Sequence, residues 1–200
     1  MEKNYRLQKL KKNGISISKV QVSIFLLLSM LLFLPAHFAN AQGTGTASDP
    51  FQISTPQQLT SLAKSVNTNT GKFWFNQNTN LFTTEKPAPS IPSIEIVASR
   101  NDVYYKLMAD ITYNPGKNVS GCDGNATANS IEQLKPIGAT SSTSFHGQFD
   151  GNYHIVSGVF VQVTAADGCA GLFGSVASGS TVKNLGLVNS YPSRVLTVVS

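Results

Sequence analysis

The chain has 200 residues, only 12% of them charged, with 15 basic and 10 acidic side chains and a formal charge of +5. Six of the basic residues and one acidic residue fall within positions 1–41, so positions 42–200 carry nine of each sign. The basic bias therefore gives no support for nucleic acid or acidic membranes as partners, and Arg100 and Arg194 are too few for a phosphate- or carboxylate-reading surface.

Lys3, Arg6, Lys9, Lys11, Lys12 and Lys19 precede the apolar run VSIFLLLSMLLFL at 22–34. Pro35 breaks that run, and Ala39-Asn40-Ala41 offers the small residues a signal peptidase needs. This pattern predicts a secretory signal over 1–41, cleaved after Ala41, and an exported chain that ends outside the cell or on its surface. The run falls short of the roughly 20 residues needed to span a bilayer, so no membrane span is expected after cleavage. The absence of a following cysteine argues against a lipoprotein anchor.

Residues 42–200 suffice for one domain with a core. Their Ser, Thr, Asn and Gly, mixed with Val, Ile and Phe, suit strands joined by polar turns. In 42–67, Phe51 and Ile53 alternate like a short strand. Thr55 as N-cap, Pro56 at the first helical position and Gln58 completing a capping box then predict a helix over 56–67. Leu59, Leu62, Ala63 and Val66 recur at helical spacing on its inner face.

Residues 68–103 read as an insertion with extended or loop structure. Pro87, Pro89 and Pro92 punctuate it, and Phe73, Trp74 and Phe75 form a patch expected to tuck inward rather than to serve as a sugar platform. From Tyr104 the texture changes to short strands and turns: YYKLMADI, LKPIGA, SFHGQFDG, NYHIVSGVFVQV, AGLFGSV and STVKNLGLVNS. A polar excursion, NPGKNVSGCDGNATANS, interrupts them and contains glycosylation sequons at Asn118 and Asn125, read as pattern only. Ile155-Val-Ser157 echoes Val182-Lys-Asn184 at an offset of 27 residues, which suggests a solenoid. A β-sandwich of hairpins is the alternative, because Asp150-Gly151 is also a hairpin signal.

His146, Asp150 and His154 raise the question of a metal or acid–base site. In an unbroken strand the histidines lie roughly 26 Å apart, and a two-residue turn puts them on opposite faces. Only a three-residue turn brings them together, and nothing else in the chain has zinc-like spacing. The segment is therefore expected to be strand and turn, with Phe145, Phe149 and Ile155 inward. Gly151 and Asn152 make the turn, and Asp150 hydrogen-bonds turn amides. No catalytic residue, metal or cofactor is expected. Cys122 and Cys169, in an exported chain, form a disulfide or remain two separate thiols.

The run GLFG, Gly171 to Gly174, with FHGQFDGNYHIVSGV before it and STVKNLGL after it, resembles the bacterial GLUG-motif family. GTASDPFQISTPQQLTSLA, YYKLMADI and LKPIGA look like the lead-in such proteins show. The likeness covers most of 44–189, with one full motif and with Tyr153 where glycine is commoner. It implies a mostly β chain, a right-handed parallel β-helix, in secreted or surface-attached bacterial proteins, and it implies no reaction. The helix at 56–67 is then an N-terminal cap, and 104–200 are coils incomplete at the C-terminus. Gly171, Leu172, Phe173 and Gly174 are structural, and Asn184 lines a coil where amides stack.

The expected role is a non-catalytic adhesion or scaffolding module with an unknown surface ligand, a glycan or a host or matrix protein. A β-helical polysaccharide lyase or hydrolase and the front part of a surface protease are the alternatives. Val195, Leu196, Val198 and Val199 form an apolar tail, which predicts self-association through an open end and a longer parent polypeptide.

Overall fold

Thr55 begins the helix for the reasons its neighbours supply. Its Oγ1 accepts from the Gln58 N–H at 3.2 Å, and Gln58 Oε1 accepts from the Thr55 N–H at 3.1 Å. Pro56 sits in the first turn, where no N–H is needed. The helix α1 spans Pro56–Val66 and buries Leu59, Leu62, Ala63 and Val66. Asn67 closes it and anchors it: its Nδ2 donates to the Pro136 carbonyl at 2.8 Å, and its Oδ1 accepts from the Ala139 N–H at 2.7 Å.

The computed structural model describes residues 43–117, 119, 131–164 and 169–195, all within one compact unit. The leader at 1–41, the sequons at Asn118 and Asn125, Cys122 and the tail from Leu196 lie outside the described residues.

The chain is mostly β with this one α-helix. Strands β1 (Phe51–Ile53), β5 (Tyr104–Leu107), β7 (Gln148–Asp150) and β10 (Thr181–Lys183) form a four-stranded parallel sheet in that order. A second parallel sheet joins β6 (Ile111–Thr112), β8 (Ile155–Ser157) and β11 (Gly186–Val188), and a third pairs β9 (Phe160–Thr164) with β12 (Tyr191–Val195). Two successive passes of the chain, β7–β8–β9 and β10–β11–β12, thus contribute to the three sheets in the same order.

Alternation decides what each pass buries. In the first sheet Phe51, Tyr105, Phe149 and Val182 share one register column, and the first three are almost fully buried. Ring centroids lie 5.8 Å apart for Phe51 and Tyr105, and Phe145 sits 5.6 Å from Tyr105. In the second sheet Ile111, Val156 and Leu187 align. Full burial of such a side chain is worth about 1.5–3 kcal/mol, which applies to Phe51, Tyr105, Phe149, Ile111 and Val156, whereas Val182 is half-buried and Leu187 is 46% exposed.

Corners between sheets need left-handed backbone. Asn152 and Tyr153 turn the chain from β7 to β8 with φ of 50° and 62°, and Asn184 does so from β10 to β11 at 52°. Gly158, at 67°, follows β8, and a Cβ there would meet the Tyr113 carbonyl oxygen at 2.1 Å. Glycine is required at that site.

One expectation is refined and three change. Residues 68–103, expected as extended or loop structure, form a three-stranded antiparallel sheet, β3 (Leu81–Thr83), β2 (Lys72–Asn76) and β4 (Ser93–Val97), with the proline stretch as a loop between β3 and β4. The Phe75 and Phe82 rings pack 4.8 and 5.6 Å from Phe51. Asp150-Gly151 is no hairpin, because β7 and β8 belong to different parallel sheets. The 27-residue echo is not the pairing register: Ile155 pairs with Gly186 and Gln148 with Thr181, offsets of 31 and 33. Val182 instead aligns with Phe149, since both are inward centres of first-sheet strands. Ile155 faces outward, 39% exposed, and Val156 takes the buried place, because the corner resets the phase of alternation.

Leu172→Ala removes a side chain that is 4% exposed within the main core and should cost about 2–5 kcal/mol, read as a lowered denaturation midpoint. Tyr153 is 85% exposed, so Tyr153→Gly loses little packing. Relief of about 1–2 kcal/mol of left-handed strain exceeds the roughly 0.4–1 kcal/mol lost to a looser unfolded chain. That variant should melt at a higher temperature than the parent.

Candidate functional site

Because β5, β7 and β10 are in register, their outward side chains form two rows across the strands. Tyr104, Gln148 and Thr181 make one, and Lys106, Asp150 and Lys183 make the other. A turn beside them closes when the Thr44, Gly45 and Thr46 amides converge on the Asp49 carbonyl at 2.9–3.2 Å. The Tyr104 N–H, donating to the Gly45 carbonyl at 2.9 Å, ties this turn to β5. Sheet face and turn together border an open cleft of about 420 Å³.

Asp150 is committed on both oxygens. Oδ1 accepts from the Asn152 N–H at 2.8 Å and from Asn184 Nδ2 at 3.0 Å, and Oδ2 lies 3.6 Å from Lys183 Nζ. Partial burial pushes its carboxyl up, but the Asn152 amide, Asn184 and Lys183 outweigh that and hold it below the usual carboxylate range. Gln148 donates through Nε2 to the Asn101 and Gly179 carbonyls, both at 2.9 Å, which leaves its Oε1 as an acceptor. Lys106 has no ion-pair or side-chain hydrogen-bond partner among the described residues.

The two histidines flanking Asp150 go elsewhere. His146 Nδ1 donates to Asn101 Oδ1 at 2.9 Å, and the Ser180 hydroxyl donates to the same oxygen at 3.0 Å. His154 Nδ1 meets Asp110 Oδ1 at 3.0 Å. Asp110 is held low first by the Ile155 N–H, at 2.9 Å from the same oxygen, and then by His154. Three residues of the segment therefore serve three separate local contacts. Among the described residues no group of three or more His, Cys, Asp or Glu side chains is placed to hold a metal.

The remaining motif residues sit within the fold rather than in the cleft. Phe173 packs its ring 5.2 Å from Phe145 and 5.1 Å from Phe149, beside buried Leu172. The Gly174 N–H donates to the Ile137 carbonyl at 3.0 Å, and a Cβ there would lie 2.5 Å from the Gly138 oxygen. Gly171 precedes them, and a Cβ on it would meet the Phe173 oxygen at 2.9 Å. A Cβ on Gly151 would meet the Asn184 oxygen at 2.4 Å. Asn184 donates to Asp150 rather than to another amide, and its carbonyl accepts from the Tyr153 N–H at 2.8 Å. Cys169 is exposed. Trp74 is buried, with Lys72 Nζ 5.5 Å from its ring centroid. Lys106, Lys183, Tyr104, Gln148 and Thr181 were not singled out from sequence. Alternation in YYKL, QFD and TVK marks them as outward, but only register makes them neighbours.

No family model, curated protein or solved structure matches the chain. No helix among the described residues is long and apolar enough to cross a membrane.

Below α1, burial pushes the Tyr113 phenol up to about 12, while its hydroxyl donates to the Pro56 carbonyl at 2.9 Å and lies 3.0 Å from Thr60 Oγ1. Burial also raises Tyr105. Both must stay neutral in the folded chain, whereas an unfolded tyrosine ionises near pH ~10. Their contribution is complete below that pH; that of Tyr113 is lost as pH rises towards about 12, and that of Tyr105, raised further, goes on falling above it. Urea midpoints should fall between about pH 9 and about pH 11, and fall less in Tyr113→Phe.

Proposed function

We propose that this chain is a non-catalytic β-helical module of a secreted or cell-surface bacterial protein, serving attachment or scaffolding. The observation that carries the reading is the repeated order β7–β8–β9 and β10–β11–β12 across three parallel sheets, with inward residues in shared columns. A right-handed β-helix is built from such passes, each burying its apolar side only by stacking on the next. The likeness of GLFG and its flanking segments to the GLUG-motif family points the same way, and the leader-like first 41 residues support export.

A second reading, a carbohydrate-active enzyme, draws on the polar cleft over the first sheet. Its acid–base chemistry requires a carboxyl poised near the working pH. Asp150 is instead held anionic by a backbone amide, Asn184 and Lys183, which favours a structural role at the corner.

The test is to incubate protein from cells expressing the full chain with acidic polysaccharides and follow new chain ends. The expected result is no turnover above the blank. Turnover that disappears in Asp150→Ala would overturn the non-catalytic reading.

A further inference from the structure

We infer that the cleft over the outer face of the first sheet binds an anionic oligosaccharide, with Lys106 meeting the ligand's charge and Tyr104, Gln148 and Thr181 meeting its ring and hydroxyls. This deepens the proposed role as a surface module and rests on it.

The charge pattern selects the ligand's sign. Lys183 is offset by Asp150 at 3.6 Å, and Asp150 has its other oxygen filled by Asn152 and Asn184. Lys106 lies next to Asp150 in register but has no partner of its own among the described residues. One uncompensated ammonium thus remains at the rim of a polar cleft, a point charge suited to a carboxylate or sulfate.

Shape selects an extended polar ligand. Adjacent parallel strands lie about 4.8 Å apart, so each row repeats like-placed side chains over about 10 Å, enough for a short run of sugar units. Tyr104 offers a half-buried ring, Thr181 an exposed hydroxyl and Gln148 a free carbonyl oxygen, a set that serves sugar faces and hydroxyls. An extended peptide adds to an open strand edge; Tyr104, Lys106 and Gln148 lie on β5 and β7, which are paired on both sides, so a peptide pairing at the β10 edge would run beside these side chains rather than across them. Nucleic acid needs several uncompensated cations in series, and this face has one, since Lys183 is offset by Asp150.

The experiment is calorimetric titration of protein from cells expressing the full chain. The probes are an oligogalacturonate, its fully methyl-esterified form and a sulfated oligomer on a neutral backbone. One or both anionic probes should bind at least about tenfold more tightly than the ester. Lys106→Met should abolish that preference with the melting temperature unchanged, while Lys86→Met, on an exposed loop, should keep it. Equal binding of the ester, no binding of either anionic probe, or a preference that survives Lys106→Met would overturn the inference. Cleavage of the oligomer with the Lys106-dependent preference intact would instead sink the non-catalytic reading and leave the cleft assignment standing.

Discussion

Everything in this fold depends on register between parallel strands that are distant in sequence. Phe51, Tyr105, Phe149 and Val182 stand in one column because β1, β5, β7 and β10 pair without a slip. A shift of one residue in any strand turns its buried ring outward and its polar neighbour inward. The same register assembles the outer face, so a single constraint builds both the core and the cleft. Lys106, Asp150 and Lys183 are neighbours for the same reason that Tyr105, Phe149 and Val182 are.

Corners hold that register in place. Asp150 ends β7 and fastens its own turn through the Asn152 amide, then reaches the next pass through Asn184 and Lys183. Asp110 does the equivalent work one pass earlier, gripping the Ile155 N–H and His154. The exposed ion pairs contribute little by themselves. Their hydrogen bonds to backbone fix where each strand begins, which is what alternation needs. At the β1 end of the first sheet, the antiparallel sheet β3–β2–β4 covers Phe51. The Phe75 and Phe82 rings lie against it, and the Ser61 hydroxyl accepts from the Phe82 N–H at 3.1 Å.

Local chemistry was legible in the sequence, and long-range pairing was not. The helix could be read because Thr55, Pro56 and Gln58 act within one turn, and so could the turn role of Asp150. The sheet at 72–97 was hidden because Phe73, Trp74 and Phe75 are all buried, which erases the period-2 signal. Ile155 was placed inward by carrying alternation through Asp150–His154, where the corner resets it. The cleft was hidden for a related reason: its six side chains come from three strands whose neighbours only the register reveals. Tyr153 stood out only as a position where glycine is commoner, and its φ of 62° gives the physical reason that a glycine would suit the corner.

Nuclear magnetic resonance reads the parallel register directly. Cross-strand contacts are expected between backbone protons of Phe149 and those of Tyr105 and Val182, and between Val156 and those of Ile111 and Leu187. Contacts instead pairing residues on either side of Asp150-Gly151, such as Phe149 with Asn152 and Gln148 with Tyr153, would make that corner a hairpin and contradict the parallel register.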